Sequence, residues 1–200
     1  MSLESHSQAL ADSLAKAKLV PGVASELIPE GFTQKTKLEI SYSNKQIDLG
    51  NFFRASECKV APTIKFQPVD DLDNPRGAYL LILTDPDAPT PDDPKFAFWR
   101  HWVLPGLQPL SGDSGVVGET KPALTEYLGP GPKDDSKPHR YLFLLYREPA
   151  AMDLSKAQVG GEEFVERRSF KPAEFARNHG LTLVGVNWMT CAGDGWKDDE

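Results

Sequence analysis

The stretch that most limits the fold is "GAYLLILTD", residues 77–85, an apolar run without polar alternation. A strand wet on one face alternates, so an unbroken run predicts a strand covered on both faces. A chain holding such a strand must supply two covering layers. In "TKLEISY" the residues Leu38, Ile40 and Tyr42 alternate with Lys37, Glu39 and Ser41, and "PTIKFQP" repeats the pattern with Ile64 and Phe66. Both read as strands with one solvated face. "FWRHWVL", "HRYLFLLY" and "LTLVGVNWMT" read as further strands of largely buried character.

Helical signals are few. Leu10, Leu14 and Ala17 recur at helical spacing, with Ser5 or Ser7 as the cap and Pro21 as the stop. A second helical turn is expected over 23–28, ending at Pro29. "KPAEFARNHG" reads as a helix with Pro172 in its first turn and Gly180 just past its end. Many strands, proline-rich connections and few helices predict an all-β core with small helical additions. One domain is expected over residues 1–200, with 1–30 a helical amino-terminal arm and 193–200 a polar tail that frays unless Trp196 pins it.

The formal net charge of −7 argues against a nucleic-acid partner, which needs a basic face. It also disfavours adhesion to an anionic membrane. No stretch approaches the length of a membrane span, and the opening "MSLESHSQALADSLAKAK" has no apolar signal-peptide core. Cys58 and Cys191, the two cysteines, lack metal-ligand spacing and read as free thiols in a reducing compartment. A cytoplasmic location is the expectation.

Chemistry gathers at strand ends. Asp85 and Asp87 follow the buried run, His101 lies within "FWRHWVL", and His139 opens "HRYLFLLY" after the loop 129–138. Strand alternation places Trp99, His101 and Val103 on one face, opposite Arg100 and Trp102. It likewise places His139, Tyr141 and Phe143 opposite Arg140 and Leu142. A histidine and a tyrosine two apart on an apolar strand make a polar tip in a hydrophobic wall, the composition of a small-ligand pocket. Prolines stiffen the loop after Asp85, and a stiff loop can hold a carboxylate against a histidine.

Taken singly, these residues have plainer readings. A buried histidine is commonly a hydrogen-bonded core residue, and Asp-Pro pairs commonly start turns. "DDLD" (70–73) and "PDDP" (91–94) read as solvated loop charge. "DPD" has no third metal ligand nearby, and "GPGPKDDS" lacks the ending of a phosphate loop, so no metal or cofactor is expected. Cys58 beside Lys59 reads as chance adjacency, and no Ser-His-Asp or Cys-His arrangement shows a nucleophile setting.

The ordered set "TDPDAP" (84–89), "FWRHWVLPG" (98–106), "EYLGPGP" (126–132), "PHRYLFLLY" (138–146) and "FKPAEFARNHGLTLVG" (170–185) resembles the phosphatidylethanolamine-binding protein family. The amino-terminal stretch through "LEISYS" and "GN" is similar to the fungal branch that includes carboxypeptidase Y inhibitor. The resemblance implies a mostly β fold, with a central antiparallel sheet packed on a second sheet and peripheral α-helices. It implies a small anion-binding pocket lined by Asp85, His101, His139 and Tyr141, with Gly131 and Pro132 at the rim. Asp87 is counted with these, bracing the loop by accepting backbone donors. Departures from the family pattern are Lys133, Asp134, Asp135 and Lys137 in the rim loop, Arg100 for a frequent histidine, and Met189 for a tyrosine.

The implied function is a non-catalytic, monomeric regulatory protein. It would bind an anionic small molecule, a phospholipid head group, or an acidic or phosphorylated side chain of a partner. That partner is a serine carboxypeptidase, with the amino-terminal arm joining in inhibition, or a signalling kinase. The alternative is a hydrolase of phosphate or acyl esters using Asp85, His101 and His139; a membrane-lipid carrier is a third option. Anion affinity is expected to rise as pH falls from about 8 to about 6, because free histidine titrates near 6.5.

Overall fold

The computed structural model describes residues 2–70, 77–110 and 114–198. Its elements are α1 (Leu3–Lys16), β1 (Glu39–Tyr42), β2 (Lys45–Gln46), β3 (Phe52–Arg54), β4 (Thr63–Lys65), β5 (Tyr79–Asp85) and β6 (Trp99–Pro109). They continue with β7 (Val117–Glu119), β8 (His139–Arg147), α2 (Pro172–Asn178) and β9 (Thr182–Ala192). A six-stranded sheet has the order β3-β9-β8-β5-β6-β7, and a smaller sheet the order β2-β1-β4. In the larger sheet β3 runs parallel to β9, and the other pairs are antiparallel.

Every residue of β5 is buried, as its composition requires. Leu81 and Leu83, with Tyr141 and Phe143 of β8, pack against Leu38, Ile40 and Phe66 from the smaller sheet. On the opposite face Leu80 and Ile82, with Leu142 and Leu144, pack against Leu10 and Leu14 of α1 and Phe175 of α2. The sheet is therefore the middle of three layers, and burial of apolar surface on both sides is its main stabilising term.

The segment expected to be an arm is one of those layers. Leu10, Leu14, Leu19 and Val20 are buried against the sheet. Trp188 Nε1 donates to Ser13 Oγ at 3.0 Å, and Arg140 Nη1 donates to Ala17 O at 2.8 Å. The helix starts earlier than expected. Ser2 is its cap, accepting from Ser5 N at 3.2 Å, while Ser5 and Ser7 lie inside it. Ser7 Oγ accepts instead from Gln34 N at 3.1 Å, tying α1 to the following loop. Residues 23–28 hold one turn rather than a longer helix: Val20, Pro21 and Gly22 are non-helical, Gly22 O accepts from Ser25 N, and Ala24 O accepts from Leu27 N and Ile28 N.

Of "DDLD", residues 71–73 lie outside the described residues. In "PDDP", Asp92 and Asp93 form exposed pairs with Lys137 and Lys95. Trp196 pins the tail: Arg54 Nη1 donates to Trp196 O at 2.7 Å, and the Trp196 ring lies 5.8 Å from that of Phe52. Cys58 and Cys191 are free and buried in one cluster, where contact with Cys58 and burial push the Cys191 thiol well up. Among the described residues no helix is long and apolar enough to cross a membrane.

Candidate functional site

Asp85 closes β5 fully buried, with both carboxylate oxygens already engaged. Oδ1 accepts from Asp87 N at 2.7 Å, and Oδ2 accepts from His139 Nδ1 at 2.8 Å. The first bond is a local turn of the kind Asp favours; the second joins residues on neighbouring strands. The other nitrogen of His139, Nε2, lies 3.0 Å from Ser136 Oγ. Ser136, His139 and Asp85 thus stand in Ser-His-Asp order, a bonding chain that the sequence does not announce. Sequence reading missed it because Ser136 sits in the rim loop where the chain departs from the family motif.

Asp87 points elsewhere. Its carboxylate accepts from Arg140 N and Nε, each at 2.8 Å, and from Arg140 Nη2 at 2.5 Å. The pairing also holds the Arg140 guanidinium more firmly charged. Asp87 therefore braces the loop as expected, but chiefly through an arginine fork, which suits a carboxylate's two oxygens.

His101 is presented by a bulge. Leu83 pairs with Trp102 while Thr84 pairs with Arg100, so His101 is an extra residue in β6. Simple alternation fails across it: Trp102 and Leu104 enter the core beneath the smaller sheet, and Val103 enters the opposite one. His101 and Val103 do not share a face, which corrects the sequence expectation. Freed from β5, His101 O accepts from Leu128 N at 3.0 Å and Arg167 Nη1 at 3.2 Å. His101 Nδ1 meets Leu128 O at 2.6 Å.

These side chains border a cavity of about 480 Å³. Asp85, His101, Gly131, Pro132, His139 and Tyr141 line it, and Asp87 does not. Tyr141 stands with its ring edge-on to His101 and stacked with His139, at 5.2 and 6.2 Å. Burial, then the nearby Asp85 charge, pushes its phenol well up, so it is neutral. Met189, which stands where the family pattern has a tyrosine, pairs in register with Tyr141 and is buried.

The sequence reading placed Lys133 in the rim loop and Trp99 on the face of His101, but missed Phe96, Phe164 and Arg168, which complete the far wall with Trp99. Its one available signal was "FVERRSF", two arginines beside an exposed aromatic in an acidic chain. Among the described residues, no three histidine, cysteine or carboxylate side chains gather as a metal-binding group.

The rim's constrained glycine is Gly129, not Gly131. A Cβ at Gly129 would collide with Cys58 O, whereas one at Gly131 meets nothing within 4 Å. Gly129→Ala is expected to lower stability by about 1–3 kcal/mol, as overpacking against backbone does. Gly131→Ala should leave the urea midpoint unchanged, and equal midpoints for the two variants would contradict this account.

Two buried histidines set a pH dependence. Burial is the largest cause lowering the pKa of both His101 and His6. For His101, Arg167 and His139 add to the effect while Asp85 and the Leu128 carbonyl oppose it. For His6, Lys37 adds and Asp48 and Glu39 oppose. A lowered pKa means the unfolded chain binds the proton more readily, so stability is complete above about pH 6.5 and declines below it. Urea midpoints should be level from pH 8 to 7 and fall towards pH 5.5, with a smaller fall in His6→Gln and His101→Gln.

The family model for phosphatidylethanolamine-binding protein matches residues 29–187. An uncharacterised protein of Saccharomyces cerevisiae, YLR179C, is 28% identical over 190 residues, covering 91% of this chain and 92% of its own length. Carboxypeptidase Y inhibitor, solved in complex with its cognate proteinase, is similar in structure with a TM-score of 0.78 at 25% identity, over 94% of this chain and 97% of that one. A phosphatidylethanolamine-binding protein from Plasmodium vivax shares the fold, with a TM-score of 0.68 at 22% identity over 92% of this chain and 97% of its own.

Proposed function

This chain belongs to the phosphatidylethanolamine-binding protein family, and from that premise we propose that it is a non-catalytic binding protein whose cavity receives an anionic group. The group is phosphate-like, as in a phospholipid head group, or an acidic side chain. The carrying observation concerns Asp85, the single carboxylate on the cavity wall among the described residues. Both its oxygens are taken by protein donors, so an entering anion meets donors and cations rather than a free carboxylate. The proposal places the protein in the cytosol as a monomer that inhibits a serine carboxypeptidase. Its support is the likeness to carboxypeptidase Y inhibitor over nearly the whole chain; no residue described above favours a kinase.

Two assays test the two halves. Phosphorylethanolamine should bind the wild type and bind at least ten-fold more weakly to the Asp85→Ala/His139→Ala double variant; equal binding would remove the cavity from the account. Stoichiometric addition should suppress peptide hydrolysis by carboxypeptidase Y, and undiminished hydrolysis would remove the inhibitor role.

A hydrolytic reading draws on the Ser136–His139–Asp85 chain, whose bonding order is that of a nucleophile, base and orienting acid. Against it, Ser136 is buried off the cavity wall, with its hydroxyl 3.0 Å from Lys137 O. An ester in the cavity therefore meets no serine nucleophile. Turnover of p-nitrophenyl esters that disappears in Ser136→Ala would favour this reading over the first.

A further inference from the structure

The cavity's family-type groups are largely spoken for. Asp85 uses both oxygens, His139 both ring nitrogens, and His101 its Nδ1, all on protein partners. Two further unspent donors lie where the segment 96–99 meets the segment 164–170. Trp99 Nε1 and Arg168 Nε are buried and have no acceptor, and Trp99 as a whole is 8% exposed. Native proteins rarely leave a buried N–H unpaired, so two on one cavity wall point to an acceptor supplied from outside.

We propose that Arg168 and the Trp99 indole N–H form the subsite that reads the charge of a tetrahedral oxyanion, the chemistry shared by sulfate and a phosphoryl group. This rests on the reading of the cavity as an anion site and names the residues that carry it. Arg168 forms no ion pair among the described residues, and its guanidinium lies 4.3 Å over the Phe96 ring. Glu166, the acid nearest it in sequence, spends Oε2 on the backbone N–H groups of Glu162 and Glu163. The wall bearing Arg168 is held in place beforehand. Arg100 donates to Val159 O and Gly161 O, and Arg167 to His101 O and Glu126 O. A fixed wall with unspent donors binds without first having to be ordered.

The charged and titratable groups on the cavity are Asp85 on β5, His101 on β6, His139 on β8, Lys133 on the rim and Arg168 on the far wall, with Arg100 and Glu166 lining the adjoining depression that Arg168 also borders. Burial keeps His101 neutral near pH 7, so the positive charge that meets the anion comes from Arg168 and Lys133. Arginine and lysine keep their charge through this range. The part of the oxyanion affinity that Arg168 and Lys133 supply is accordingly level between pH 8 and 6.5, where a histidine-borne affinity would rise.

Sulfate, whose charge is constant over this range, is the probe, titrated into the full chain at pH 6.5 and 8.0 by calorimetry. The wild type should bind with affinities within about three-fold of each other at the two pH values. Arg168→Gln should bind about 10- to 100-fold more weakly at both, the weight of a charge-assisted hydrogen bond. Arg168→Lys should recover part of the loss. The indole N–H resonance of Trp99, identified by its absence in Trp99→Phe, should move downfield on saturation, a readout that a merely structural arginine would not alter. It also serves if Arg168→Gln fails to fold. Wild-type affinity in Arg168→Gln, an unmoved indole resonance, or a ten-fold gain at pH 6.5 would overturn the subsite while leaving the anion cavity standing. Absence of sulfate and phosphorylethanolamine binding by the wild type would overturn the cavity reading itself.

Discussion

A chain lacking residues 1–20 is expected not to fold. The truncation removes Leu10, Leu14, Leu19 and Val20, all buried against the central sheet. Each such side chain contributes about 1.5–3 kcal/mol by burial, so their joint loss rivals the whole stability of an ordinary domain, about 5–15 kcal/mol. Two polar ties go with them, Trp188 to Ser13 and Arg140 to Ala17. The measurements are soluble yield, dye binding to exposed apolar surface, and the thermal transition by circular dichroism. A soluble fragment 21–200 with a wild-type transition would show that α1 is a dispensable appendage. Any part of this segment in inhibition is therefore probed by substitution on its exposed face, at Gln8, Ala11, Asp12 or Ala15, and not by deletion.

Asp87→Ala is the second large effect. Its carboxylate is buried at 2% side-chain exposure, while the Arg140 guanidinium it holds is 23% exposed. Removing one partner of such a pair leaves the other without its acceptor and costs about 3–5 kcal/mol. Exposed pairs such as Lys95–Asp93 contribute far less, because water screens both members. The urea midpoint should fall sharply in Asp87→Ala and less in Asp87→Asn, and a double-mutant cycle with Arg140→Met should show strong coupling. The folded fraction should still bind sulfate within about three-fold of wild type, since Asp87 is off the cavity wall. Lost binding at full stability would instead make Asp87 a ligand residue.

Sequence patterning made the layers legible. "GAYLLILTD" demanded cover on two faces, and Leu38, Ile40, Tyr42, Ile64 and Phe66 supplied one of them. Pro172 and Gly180 bracketed α2 where expected. One side of the cavity was also legible, because Asp85, His101, His139 and Tyr141 sit at strand positions whose neighbours are motif-like. The rest was not, for reasons of long-range geometry. Arg168 and Phe164 reach the cavity only because Arg100 and Arg167 tie their segment to β6 and neighbouring backbone, through bonds between residues 41 to 66 apart in sequence. Ser136 meets His139 three residues away through a turn whose shape no residue type announces. The arm's true status escaped for a similar reason: Leu10 and Leu14 mark an apolar face, but not the surface that receives it.

The bulge in β6 separates two demands that usually compete within one strand. With His101 omitted, Arg100 and Trp102 would be consecutive and would alternate correctly, Trp102 in the core beneath the smaller sheet and Arg100 over the Phe170 ring on the other side. The pleat is thus complete without the histidine, which is a spare position spliced into a regular element. Evolution could change the residue there, and with it what the cavity accepts, without renegotiating the register of the sheet. Exchange of His101 for another residue should accordingly alter ligand choice far more than it alters which strands pair.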